Sequence, residues 1–140
     1  MSKPTQKQIE TLIALPADAP VAALNLFKFN QQAQYQPGDP EYGTPEADVP
    51  GTEAYRRYSA EAGPFITRLG GHVVFSTPVA QTMIGPEDTQ WDLAAIMYFP
   101  TRSAFMEMLS DAQFQQASRH RLAALADHCM LHLDGSPFQT

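Results

Sequence analysis

Hydrophobic and polar positions alternate between two periods along the chain. Ile9, Leu12 and Ile13 make a narrow stripe at helical spacing between Thr5 and Leu15. Thr5 with Gln8 three residues on has the capping-box spacing, and Pro16 stops the segment. Val21–Phe29 (VAALNLFKF) is nearly all apolar, as a strand covered on both faces would be. Four prolines and three glycines within residues 30–51 then break every pattern. This predicts a long loop, a lid or disordered. Thr52 to Leu69 carries Tyr55, Tyr58, Ala62, Phe65, Ile66 and Leu69 on one face. It reads as a helix capped by Thr52, kinked at Pro64 and ended by Gly70-Gly71. His72 to Ile84 is extended, with Pro78 marking a bulge or an edge. Trp91 to Phe99 is a further strand, apolar on both faces. Thr101 caps a short helix to Leu109, Asp111 caps another to about Ala126, and His128 to Leu133 is the last strand.

The order is a helix followed by β-α-β-β-α-β, the ferredoxin-like arrangement of an α+β fold with an antiparallel sheet. The helices can cover only one face of four strands, yet the first and third strands are apolar on both. A second copy of the chain is the simplest cover, which predicts a homodimer whose two sheets face each other as a dimeric α/β barrel. The expected division is an N-terminal helix and turn over 1–20, one ferredoxin-like domain over 21–134 with its loop at 30–51, and a loose tail over 135–140.

Composition narrows the partners. The 140 residues carry a formal net charge of −6, with only nine Lys and Arg. Nucleic acid and an anionic membrane surface both need positive charge and are not expected. No apolar run approaches a membrane span, and the first residues lack the apolar core of a secretory signal. The single cysteine, Cys129, allows no intrachain disulfide. Together these absences point to a reducing cytoplasm.

An ordered series of short motifs runs through the chain. It comprises Asn25-Leu26-Phe27-Lys28-Phe29, Glu53-Ala54-Tyr55-Arg56-Arg57-Tyr58, Gly70-Gly71 before a strand, Ile84-Gly85-Pro86-Glu87, Trp91-Asp92, Tyr98-Phe99-Pro100-Thr101-Arg102-Ser103-Ala104-Phe105, and Arg121 followed by Ala126-Asp127. In this series the chain resembles, over about residues 20–134, a family of uncharacterised bacterial proteins named domain of unknown function thirteen-thirty. The resemblance implies the dimeric α/β-barrel fold, shared with small monooxygenases, muconolactone isomerase-like proteins and haem-dependent relatives. It implies no agreed activity.

The chemistry must come from individual residues. Arg121 lies on the same helical stripe as Phe114, Ala117, Ser118, Leu122 and Leu125. An inward guanidinium needs a partner. It is either a clamp for a substrate carboxylate or enolate, or half of a structural pair with Asp127 or Asp92. Asn25 shares a strand face with Ala23 and Phe27. If Leu24 and Leu26 meet the helices, Asn25 faces an inter-sheet cavity, where it can orient a ligand carbonyl or be satisfied by backbone. Lys28, of opposite parity, is expected to snorkel to solvent. His72 or Tyr58 can handle a proton, although a strand-edge histidine in solvent is the plainer account of His72. Phe27, Trp91, Tyr98 and Tyr55 can line an aromatic pocket or simply be core.

His128 and His132 share a strand face about 13 Å apart and cannot chelate one metal. No metal site is expected. No Gly-rich fingerprint precedes a helix, so no nucleotide cofactor is expected either. Haem remains open through His120 or His128, although hydrogen-bonded histidine is the plainer reading of both. Cys129 reads as a small buried hydrophobe. Three functions stay open. One is a cofactor-independent enzyme acting on a small apolar or aromatic carbonyl compound, with Arg121 steadying negative charge. The others are a non-catalytic small-molecule binding protein and a structural dimer without a ligand.

Overall fold

A computed structural model describes residues 3–88 and 90–137. The expectations for Met1 and Ser2 and for the last three residues of the tail lie outside the described residues. The chain runs α1 (Gln6–Ala14), β1 (Val21–Phe29), a 3-10 turn (Pro45–Ala47), α2 (Gly51–Arg68), β2 (His72–Pro78), β3 (Leu93–Phe99), α3 (Arg102–Ser110), α4 (Ala112–Ala124) and β4 (Leu125–Leu133). The strands form one antiparallel sheet in the order β2-β3-β1-β4. This is the α+β, ferredoxin-like arrangement that the hydrophobic pattern predicts. Among the described residues no helix is long and apolar enough to cross a membrane.

Local chemistry sets most boundaries. Thr5 accepts from the Gln8 amide while the Gln8 side chain accepts from the Thr5 amide, closing the capping box of α1. Thr101 accepts from the Ala104 amide at the start of α3, and Asp111 accepts from the Gln113 and Phe114 amides at the start of α4. At α2 the predicted cap is displaced. The helix begins at Gly51 behind Pro50, without a side-chain cap, and continues through Pro64 as one helix. Strand β4 begins at Leu125, directly from the last turn of α4, three residues before the expected His128.

The helices cover the face of β1 that carries Val21, Ala23, Asn25 and Phe27, all buried. The expected orientation is therefore reversed. Asn25 points into the layer between sheet and helices, and Leu24 and Leu26 lie on the open face. Both faces are apolar, so strand parity alone could not choose between them. On the covered face Val21 and Phe99 join Ala62, Ile66, Phe105, Met108 and Phe114 in one core cluster.

Two further expectations about strands are corrected. The extended stretch from His72 ends at Pro78 and does not reach Ile84, and β3 starts at Leu93, two residues after Trp91. Proline has no amide for the ladder, so Pro78 closes an edge strand. The β2–β3 register also shifts between Val73 and Phe75. That bulge puts Phe75 and Thr77, in place of Val74 and Ser76, on the face of His72.

Residues 30–51 form a fastened strap. The Asn30 amide donates to Ala124 O at 2.8 Å and the Gln34 amide to Ala123 O at 2.9 Å, while Ala33 N–H meets Val49 O at 2.9 Å. Ala33 and Tyr35 are buried in a second core cluster with Phe27, Ala54, Ala95, Ala123, Ala124 and Leu125. The strap thereby closes one end of the layer between sheet and helices.

Candidate functional site

Four of the residues singled out in the sequence converge beneath the helices. Asn25 and Phe27 come from β1, Tyr58 from α2 and Arg121 from α4, and the register Phe27↔His128 brings His128 of β4 to them. The Phe27 ring lies 4.7 Å from the His128 ring and 5.1 Å from that of Tyr55, which sits 5.5 Å from Tyr58. Within this apolar nest runs a polar chain. Arg121 Nη1 approaches His128 Nδ1 at 3.4 Å, and His128 Nε2 meets Asn25 Oδ1 at 2.9 Å. Asn25 Nδ2 donates to Ala23 O at 3.3 Å.

The proton positions follow from donor chemistry. A guanidinium can only donate, so His128 Nδ1 must hold a lone pair and Nε2 the proton given to Asn25. Asn25, anchored by its own amide, thereby fixes the tautomer. Burial pushes the His128 imidazole down to about 4, and the Arg121 charge pushes the same way against a smaller opposing pull from Asp127. At neutral pH the ring is a neutral, oriented imidazole. Burial holds the Tyr58 phenol above its ordinary range, opposed by the nearby Arg121. It raises Tyr55 as well, with Tyr58 adding to the effect and Arg121 opposing it. Among the described residues neither phenol hydroxyl makes a hydrogen bond, which leaves two protonated donors beside a guanidinium.

The other expected residues are not brought here. His72 and Tyr98 pair across β2 and β3 on the open face, their rings 5.5 Å apart. His72 is exposed and belongs to a different surface from Arg121. Trp91 is half-buried ahead of β3, outside the stacked rings around Phe27. The expected acids do not define Arg121 either. Asp92 accepts from the Phe29 amide at 2.9 Å and pairs with Lys28 at 3.5 Å, so Lys28 is held in an ion pair. Asp127 Oδ1 accepts from the His128 amide at 2.8 Å. Cys129 is only partly buried, on the open face opposite Leu26. A groove of about 660 Å³ between the end of α2 and α3 touches none of the expected residues.

Haem needs an imidazole nitrogen free to bind iron. His128 has both nitrogens engaged, and so does His120, whose Nδ1 meets Tyr35 Oη at 2.6 Å and Nε2 meets Glu61 Oε2 at 2.6 Å. Neither fits an axial ligand in this arrangement. Among the described residues no group of three or more His, Cys, Asp or Glu could hold a metal ion.

From the sequence alone Tyr55 is legible only as a lining residue and His128 only as a hydrogen-bonded histidine or a haem ligand. The strand parity shared by Asn25, Phe27 and His128 could have linked them, had β4 been registered against β1.

Comparison with known proteins places the fold. The RPA0582 protein of unknown function from Rhodopseudomonas palustris matches at 32% identity and a TM-score of 0.83, covering 99% of this chain and 97% of that one. The structure of methylated RPA0582 matches at 32% identity and a TM-score of 0.85, covering 99% and 96%. A hydroxynitrile lyase from Passiflora edulis, at 11% identity and a TM-score of 0.54 over 88% of this chain and 99% of that one, shares the fold alone. No curated protein matches the chain. The family model described as a domain of unknown function, DUF1330, matches residues 41–134. The chain thus belongs to the DUF1330 family.

Proposed function

We propose that the protein is a cofactor-independent acid–base enzyme acting on a small apolar or aromatic carbonyl compound, at the cluster of Asn25, Tyr58, Arg121 and His128. The observation that carries this reading is the neutral His128, held in one tautomer between Asn25 and Arg121 inside an apolar nest. An enolate or oxyanion formed beside Arg121 is stabilised by its charge in a water-poor setting. As that negative charge develops it offsets the Arg121 charge, which raises the basicity of His128 Nδ1 in part while it takes the proton from the carbon next to the carbonyl. His128 returns the same proton when the enolate collapses. The Tyr58 hydroxyl, kept protonated by burial, serves as a donor to the carbonyl oxygen. His72 has no part in this centre.

Deuterium incorporation next to the carbonyl tests this reading. Acetophenone, phenylacetaldehyde and phenylpyruvate in D2O, followed by proton NMR, should exchange faster with the protein than in buffer for at least one compound. Exchange no faster than in buffer for all three, together with saturable shifts of the His128 ring, would identify a binding protein without turnover.

The chain is further proposed to work as a homodimer through the open sheet face. Leu24, Leu26, Ile96 and Tyr98 lie on that face with Leu131, which is 51% exposed, and Phe75, which is 63% exposed. A continuous apolar face of this kind marks an association surface. Sedimentation should find a dimer for the native chain and a monomer for Leu131→Glu. A native monomer would remove this part of the proposal.

A further inference from the structure

A second polar chain joins the strap to α2 and α4. Arg57 Nη1 donates to Tyr35 Oη at 3.2 Å, Tyr35 Oη meets His120 Nδ1 at 2.6 Å, and His120 Nε2 meets Glu61 Oε2 at 2.6 Å. The Glu61 carboxylate can only accept, so His120 Nε2–H donates to it. In the neutral ring Nδ1 then takes the phenol proton of Tyr35, whose oxygen accepts from Arg57. Tyr35 is 6% and His120 2% exposed.

An acid, an imidazole and a hydroxyl in series are also the parts of a nucleophilic triad. Here the hydroxyl is buried and already committed to two partners, and burial raises its pKa. It is not available to a substrate. What the chain does is join three segments. Tyr35 belongs to the strap, Arg57 and Glu61 to α2, and His120 to α4. Arg119 extends the joint by a bidentate pair with Glu41 of the strap, both contacts at 2.9 Å.

Each helix carries this joint beside the candidate site. On α4, His120 immediately precedes Arg121, and on α2, Arg57 immediately precedes Tyr58. Rotating α4 to release His120 would also swing the Arg121 guanidinium off His128, because neighbouring residues on a helix are fixed about 100° apart. Buried polar chains of this kind set a unique packing when every member is satisfied.

We propose that Tyr35, His120 and Glu61, closed by Arg57, are positioning residues that lock the strap to α2 and α4 and set the rotation of α4 at which Arg121 meets His128. The consequence for catalysis rests on the function proposed above, but the test reads only the His128 ring. A failed deuterium-exchange experiment would therefore leave the test intact.

The measurement is an NMR titration of His128 in Tyr35→Phe, Glu61→Ala and Glu61→Gln, beside thermal melts. In Tyr35→Phe and Glu61→Ala the His128 pKa should rise by about half a unit or more as Arg121 moves away. In Glu61→Gln, which still accepts from His120 Nε2, it should stay at the native value. If Tyr35→Phe does not fold, Glu61→Ala, altered at the half-exposed end of the chain, carries the comparison. A native His128 pKa in the folded variants, with only the melting temperature lowered, overturns the proposal. An equal shift in Glu61→Gln and Glu61→Ala traces the effect to charge rather than position and also overturns it.

Discussion

Replacing Arg121 with methionine should raise the His128 pKa by about one unit from its native value near 4. The rise stays partial because burial, the larger cause of the depression, remains when the charge is gone. If Arg121 stabilises developing negative charge, the same substitution should slow any catalysed exchange by about 100-fold to 1,000-fold, the usual cost of one oxyanion donor. Thermal stability separates this account from a structural one. Methionine keeps most of the side chain's apolar volume, and removing an arginine retained for function leaves stability equal or higher. A structural partner left buried without its arginine would instead cost several kcal/mol. A melting temperature that holds while the His128 pKa rises supports the site.

Gly51→Ala should be among the most damaging single substitutions in the chain. Gly51 opens α2 where the strap crosses α4, and a Cβ there would lie 2.2 Å from Asn30 O and 2.7 Å from Ala124 O. Both neighbours are backbone atoms. Asn30 O accepts from the Gly51 amide at 3.1 Å, and Ala124 O accepts from the Asn30 amide at 2.8 Å. Neither oxygen can retreat without breaking a bond that closes the strap. We expect a loss of about 3 kcal/mol or more, a fall in Tm on the order of 10 °C. Gly63 is the control. It lies inside the same helix with nothing within 4 Å of an added Cβ. There alanine should stabilise by about 0.5–1 kcal/mol, because glycine is a poor helix residue. Equal melting curves for the two variants would contradict the close approach at Gly51.

The element order, the span of β1 and three helix caps were legible in the sequence because each rests on local chemistry. Thr5, Thr101 and Asp111 cap their helices through their own side chains, whatever packs nearby. What failed was decided at long range. The face of β1 that meets the helices could not be read from VAALNLFKF, since leucines and alanines suit either side. The sequence therefore places Asn25 with its right neighbours, Ala23 and Phe27, while its surroundings, the helices, come only from the structure. The β2 bulge inverted the parity expected beyond His72, and nothing local at Val73-Val74 announces an extra residue. Arg121 stands out in the sequence for lying on an apolar stripe, yet a neighbour it meets in the structure is a histidine seven residues on, across a helix-to-strand turn. Tyr35 was invisible because it stands in a proline-rich and glycine-rich stretch that reads as loop. Its burial comes from fitting between α2 and α4.

The most direct test of the central claim is a nitrogen-15 NMR titration of His128 in the native protein, which reads the tautomer and the pKa together. The account predicts a neutral ring with the proton on Nε2 down to a pKa near 4. A ring that titrates near the ordinary value of about 6.5, or that carries its proton on Nδ1 at neutral pH, would contradict it. In that case Arg121 does not face the imidazole lone pair, and the proposed acid–base centre is not formed.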